Sequence, residues 1–193
     1  MKYLTVCLAL VAALMYVATP AMADETNSAA AHVIVNVAPN VAINANTPQV
    51  VVSAIQSEEF DVEVRFQVQA NTQVLDLSVQ ASNLYKHDDT SSPYQIPLKS
   101  GSETVEVVIA SGSPLGGANN LLTFTGPAAS PIAVNGRSYP AMSTGLKRYG
   151  SGQGEFWNQE ATVTVAYDQA NETLPTGEYS GGIQLTAVVV PTP

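Results

Sequence analysis

Between Phe60 and Ala70 the chain alternates strictly. Phe60, Val62, Val64, Phe66, Val68 and Ala70 are apolar, while Asp61, Glu63, Arg65, Gln67 and Gln69 are polar. A helix would scatter those six apolar residues around its circumference, whereas an extended strand gathers them on one face. The segment is therefore a strand with one buried and one wet side. The same period returns at Gln73–Ala81 (Leu75, Leu77, Val79, Ala81), at Glu103–Ala110 (Val105, Val107, Ile109) and at Ala161–Asp168 (Val163, Val165, Tyr167). No helical period is sustained anywhere. Several short strands separated by turn signals predict an all-β, Ig-like Greek-key β-sandwich.

The connections follow from turn chemistry. Asn71-Thr72 predicts a tight hairpin between the two strands that flank it. Asn46-Thr47-Pro48 reads as a turn before a further strand at Gln49–Ile55, and Asn135-Gly136 suits a two-residue turn after a short strand at Pro131–Val134. Leu121–Thr125 is another short strand. Asn83–Ser102, with Pro93 and Pro97, and Gly112–Asn120 read as loops. The glycine-rich stretch Tyr139–Asn158 has no clean period and is the least regular part of the chain.

The front of the chain has a different character. Lys2 precedes an apolar run, Leu4–Val17, broken only by Thr5, and Ala21-Met22-Ala23 fits a small-x-small cleavage site. Residues 1–23 are thus expected to be a secretory signal peptide, since the run is short for a membrane span. Cleavage after Ala23 leaves 170 of the 193 residues, enough to bury one core. The single cysteine, Cys7, leaves with the signal, so the exported domain has neither a disulfide nor thiol chemistry. Lys2 is the one basic residue lost, and six Lys and Arg then face sixteen Asp and Glu, for a formal charge of about −10. That balance disfavours nucleic acid and anionic lipid as partners.

Two further strands frame the domain. His32–Ala45 (HVIVNVAPNVAINA) places Val33, Val35, Val37, Pro39, Val41 and Ile43 on one apolar edge. Pro39 has no N–H for a ladder, which argues for an edge or an added strand rather than a central one. The organisation expected is therefore an N-terminal extension at 24–45, opening with the small and polar residues 24–31, and a sandwich body at 46–193. At the other end Leu174-Pro-Thr-Gly177-Glu-Tyr179 has the spacing of a tyrosine corner, in which the Tyr hydroxyl reaches back to upstream backbone. It leads into a last strand with Tyr179, Ile183, Leu185, Ala187 and Val189 on one face.

An alternating N-terminal strand carrying a proline, a cysteine-free body and a terminal PTGEYSGGIQLTAVVV strand stand together behind a secretory signal. In this the chain resembles the major pilins of alternate (class 5) chaperone–usher fimbriae, the colonization-factor-antigen type. The resemblance is strongest at Val33–Ile43 and Pro175–Val190 and faint across residues 110–160. It implies an incomplete sandwich, completed by donor-strand complementation from the next subunit. Val33, Val35, Val37, Pro39, Val41 and Ile43 would be the donor residues. Tyr179, Ile183, Leu185, Ala187 and Val189 would flank the acceptor groove and meet the chaperone. The implied partners are copies of the chain itself in a head-to-tail polymer, a periplasmic chaperone, an outer-membrane usher and a tip adhesin. The implied route runs through the periplasm to a cell-surface fimbria that serves adhesion. Two other readings stay open: a monomeric secreted Ig-like binding domain, and a matrix filament protein that assembles without a chaperone. The opening strand, for its part, could fold back as an edge strand of its own domain.

Chemistry-bearing residues are sparse. His32 and His87 are far apart, and without cysteine they form no metal or triad pattern. Lys86-His87-Asp88-Asp89 lacks the spacing of a calcium loop, and Gly150–Gly154 lacks the Lys-Ser/Thr of a phosphate loop. Asn171-Glu-Thr173 is formally a glycosylation sequon. No residue is singled out as catalytic, and no cofactor or metal is called for. Arg148, Tyr149 and Trp157 on the glycine-rich loop offer a cation and aromatic faces, which would suit a host glycan or receptor.

Overall fold

The structure, a computed structural model, describes residues 41–46, 58–101, 104–116, 119–170 and 173–190. All of them belong to one compact unit, Ala38–Pro193. Its strands are β1 (Val41–Ala45), β2 (Glu59–Ala70), β3 (Val74–Ser82), β4 (Leu84–Lys86), β5 (Gln95–Ile96), β6 (Val105–Ile109), β7 (Ser113–Pro114) and β8 (Leu121–Leu122). They continue with β9 (Phe124–Pro127), β10 (Ile132–Val134), β11 (Arg137–Tyr139), β12 (Ala141–Thr144), β13 (Lys147–Gly150), β14 (Trp157–Asp168), β15 (Tyr179–Ser180) and β16 (Ile183–Val189). No helix occurs among the described residues.

The fold is an all-β sandwich of Ig-like character. One sheet runs β1-β2-β14-β6-β8; the other is built on β3, with β16 on one side and β12 and β13 in succession on the other. Alternation decides what lies between the sheets. Leu75, Leu77 and Val79 of β3 face Val163, Val165 and Tyr167 of β14, and all six are fully buried in one cluster with Val68 and Val107. Each such side chain contributes roughly 1.5–3 kcal/mol on burial, and these layers are the main source of stability. Tyr167 also ties the sheets together: its hydroxyl donates to the Ser82 carbonyl at 3.1 Å, and burial pushes its pKa well above the ordinary tyrosine range.

The structure corrects three local expectations. Strands β2 and β3 do not form a hairpin. Each is already paired on both sides, β2 by β1 and β14 and β3 by β16 and β12/β13, so Asn71–Gln73 is an arch from one sheet to the other. Both strands still bury one face, which is all that their alternation specified. The stretch Tyr139–Asn158 is not a loop but contributes β12, β13 and the start of β14. Its period is broken where β12 leaves β3 before β13 arrives, and there the Val79 N–H donates to the Thr144 hydroxyl at 2.9 Å instead of a ladder carbonyl. The third concerns Asn83–Ser102, which holds β4 and β5, part of a small sheet ordered β15-β4-β5.

The last strand is also divided. Tyr179 belongs to β15 and pairs with Lys86, and β16 begins only at Ile183. Gly181 and Gly182 make the break because neither has room for a side chain. A Cβ on Gly181 would stand 2.6 Å from the Asn83 carbonyl oxygen, and one on Gly182 would stand 2.7 Å from Ile132. The strand expected at Gln49–Ile55 lies outside the described residues.

Candidate functional site

Among the described residues the sandwich is open along one side. Strand β1 pairs with β2 alone, with Val41 opposite Ala70, Ile43 opposite Val68 and Ala45 opposite Phe66. Strand β16 pairs with β3 alone, from Ile183 opposite Ala81 to Val189 opposite Leu75. Among the described residues no strand pairs the other edge of either. The two edges approach each other across the mouth of the sandwich. Between them lies a cavity of about 520 Å³, floored by Phe66 and walled by Ile43, Ile183, Leu185 and residues 130–134 at the start of the β10–β11 hairpin. None of its lining residues is ionisable.

The side chains at this mouth are inward-pointing but incompletely covered. Leu185 is buried, whereas Ile183, Ala187 and Val189 on the same face of β16 are half-buried, as are Val41 and Ile43 of β1. Val188, on the opposite face of β16, is 47% exposed. An unpaired strand edge beside an uncovered apolar face is the surface onto which a further strand adds, with main-chain bonds giving affinity and alternate pockets giving selectivity.

Outside the groove lining, a single carboxylate ties the hairpin to the approach of β16. Asp88, on the turn after β4, accepts hydrogen bonds from the Tyr139 hydroxyl at 2.8 Å and from the Ser180 hydroxyl, and Arg137 lies 3.8 Å away. The Ser180 bond, then the Tyr139 bond, then the Arg137 charge hold the Asp88 pKa below the ordinary carboxylate value. Asp88 thus joins β4, β11 and β15. Close by, the Tyr179 hydroxyl donates to the Pro175 carbonyl at 2.8 Å, the backward bond of a tyrosine corner. Gly177 between them takes a φ of +146°, which an L side chain rarely adopts, and Leu174 packs against the core.

The residues singled out in the sequence fall into distinct groups. Ile183, Leu185, Ala187 and Val189 line up along the open edge, and Tyr179 stands apart from them in β15. Val41 and Ile43 pair within their own domain, while Val33, Val35, Val37, Pro39 and His32 lie outside the described residues. The expectation of a ligand loop at Arg148, Tyr149 and Trp157 does not hold. Tyr149 is fully buried, with its hydroxyl donating to the Val107 carbonyl at 3.4 Å and its pKa pushed up to about 12 by desolvation, and Trp157 is 2% exposed. Arg148 is engaged by Asp76 through two hydrogen bonds, at 2.9 and 3.1 Å. The two aromatic side chains fill the core because β13 and β14 alternate, so neither presents a face to a glycan. Asp89 is occupied locally by Ser91. Among the described residues, no group of three or more His, Cys, Asp or Glu side chains could hold a metal ion.

The sequence did not place the hairpin beside β16 or mark the partners of Asp88. The local signals were the short strand expected at Pro131–Val134 and Asn135-Gly136, which closes the β10–β11 hairpin with positive φ at both residues. No family model and no curated protein matches the chain.

Proposed function

We propose that this chain is an exported structural subunit of a surface fimbria of the chaperone–usher type, in which the segment ahead of β1 fills the β1–β16 groove of a neighbouring copy. The observation that carries the reading is a groove free of ionisable side chains beside the edge of β16 that no strand pairs among the described residues. The segment His32–Ala38 (HVIVNVA) has the matching character, apolar at every second position and free of Asp, Glu, Lys and Arg. Because Val41 and Ile43 are committed to β2, the donor residues narrow to Val33, Val35 and Val37, with Pro39 at the junction. Burying three valines contributes roughly 5–9 kcal/mol gross, at about 1.5–3 each, and ordering the segment offsets part of it. Each subunit then offers a segment at one place and a groove at another, so the contact is heterologous and propagates as a filament. On this reading residues 1–23 direct export, a periplasmic chaperone covers the groove until an outer-membrane usher exchanges it for the next subunit, and the filament serves adhesion.

The deciding experiment compares the full chain with one lacking residues 24–38, each co-expressed with a periplasmic chaperone of that route. The shortened chain keeps β1, so it is expected to fold with an unchanged far-ultraviolet spectrum and remain a chaperone-bound subunit. The full chain is expected to form head-to-tail polymers. Polymers from the shortened chain, or a full chain that stays monomeric once released from the chaperone, would overturn the proposal.

A further inference from the structure

The β10–β11 hairpin belongs to neither layer of the sandwich. Among the described residues its two strands pair only with each other, yet it is held firmly at both ends. Ile132 is 2% exposed and sits where a Cβ on Gly182 would stand, so the missing side chain lets the hairpin seat directly on the start of β16. Tyr139 is 3% exposed, stacks on Tyr85 with ring centroids 6.3 Å apart, and donates its hydroxyl to Asp88. The same carboxylate accepts from Ser180, two residues before Gly182. One side chain therefore holds both the hairpin and the approach to β16, and the gap between them is where the groove is walled by Ile132, Val134, Ile183 and Leu185.

We infer that this hairpin is the selectivity wall of the groove: Ile132 and Val134 set the size of side chain that an inserted strand places beside Ile183 and Leu185, and Asp88 is the positioning residue that holds the wall. The inference rests on the strand-filling reading above and deepens it by naming which residues discriminate among strands. A wall built on the sandwich strands themselves would be fixed by ladder hydrogen bonds. One mounted on a separate two-stranded unit changes its reach when a single anchor changes. The valines of the chain's own segment are compact and β-branched, and a wall of Ile and Val close to β16 favours them over longer or aromatic side chains.

The test uses fluorescent peptides of residues 31–40 with Val33, Val35 or Val37 replaced in turn by Phe. They are titrated into the full chain carrying Val37→Asp, which disables its own segment. Against the otherwise unaltered groove, one of the three replacements is expected to weaken binding at least tenfold more than the other two. Val134→Ala and Ile132→Ala are each expected to reduce that penalty to threefold or less at the same position, leaving the other two peptides unchanged. Asp88→Ala is expected to act in the same direction, and Asp88→Glu to restore the discrimination, which a general loss of stability would not do. Val134 is half-buried and its truncation is expected to leave the fold intact, so it decides the matter if Ile132→Ala does not fold. Equal weakening at all three positions, or unchanged discrimination in Val134→Ala, overturns the hairpin's role while leaving strand filling in place. Failure of the unsubstituted peptide to bind at all overturns both.

Discussion

Strands β14 and β16 carry the same alternation but end in different states. Strand β14 lies between β2 and β6, and its inward Ala161, Val163, Val165 and Tyr167 are fully buried. Among the described residues strand β16 has β3 on one side only, and of its four inward residues Leu185 alone is buried. Period-two patterning specifies which face of a strand is apolar, not how many of its edges are paired. On the proposed reading, the half-covered face of β16 is completed by a strand from a neighbouring copy.

That contrast can be broken most forcefully by charge. Val163→Asp places an unpaired carboxylate in the dry layer and is expected to cost more than about 4 kcal/mol, leaving no folded protein by circular dichroism. Val37→Asp is expected to leave the melting temperature unchanged and to abolish polymer formation on size exclusion, because the same charge would meet the groove only in a neighbour. Truncations sharpen the point. Leu185→Ala is expected to cost about 2–4 kcal/mol in urea unfolding of the subunit. Val189→Ala, further along the same edge, is expected to cost under about 1 kcal/mol in the subunit but to accelerate dissociation of the polymer. Gly182→Ala presses a methyl group into Ile132 and is expected to destabilise by about 1–3 kcal/mol.

The smallest effect is electrostatic. The Asp88 carboxyl has a lower pKa in the folded chain than its ordinary value of 3.8, so the folded state binds fewer protons than the unfolded one. Its contribution is present above that ordinary value and is lost as the pH falls through the folded one. Its side chain is 37% exposed, and solvent screening keeps the contribution modest. Asp88→Asn is therefore expected to make the urea midpoint fall less steeply between pH 5 and pH 3, at values taken as about one unit either side of an ordinary carboxylate.

Much of the sandwich was legible because its central strands are long and strictly alternating: β2, β3, β6 and β14 could each be read from side-chain period. Which sheet each strand joins was not legible, since an arch and a hairpin bury the same face, and so a turn at Asn71-Thr72 suggests a hairpin where the structure has an arch. The short strands β12 and β13 were hidden because Thr144 replaces a ladder carbonyl with its hydroxyl and the inward positions include Thr and Tyr. The open edge was half legible. Ile183, Leu185, Ala187 and Val189 announced an apolar face, but the opposing wall comes from residues 130–134, some fifty positions upstream, and no period links the two. Tyr149 and Trp157 misled for a related reason, since glycines around a strand conceal the burial of its aromatic side chains.

The edge of β16 left unpaired among the described residues, seven residues long, also has a mechanical meaning. A segment laid along it from a neighbouring copy would be held by backbone bonds lying across the direction of the strand. In a filament joined that way, tension along the axis loads those bonds together in shear rather than opening them one after another. A Val189→Ala filament pulled lengthwise is then expected to lose only a small share of its strength, because its backbone bonds are unchanged and carry the load together.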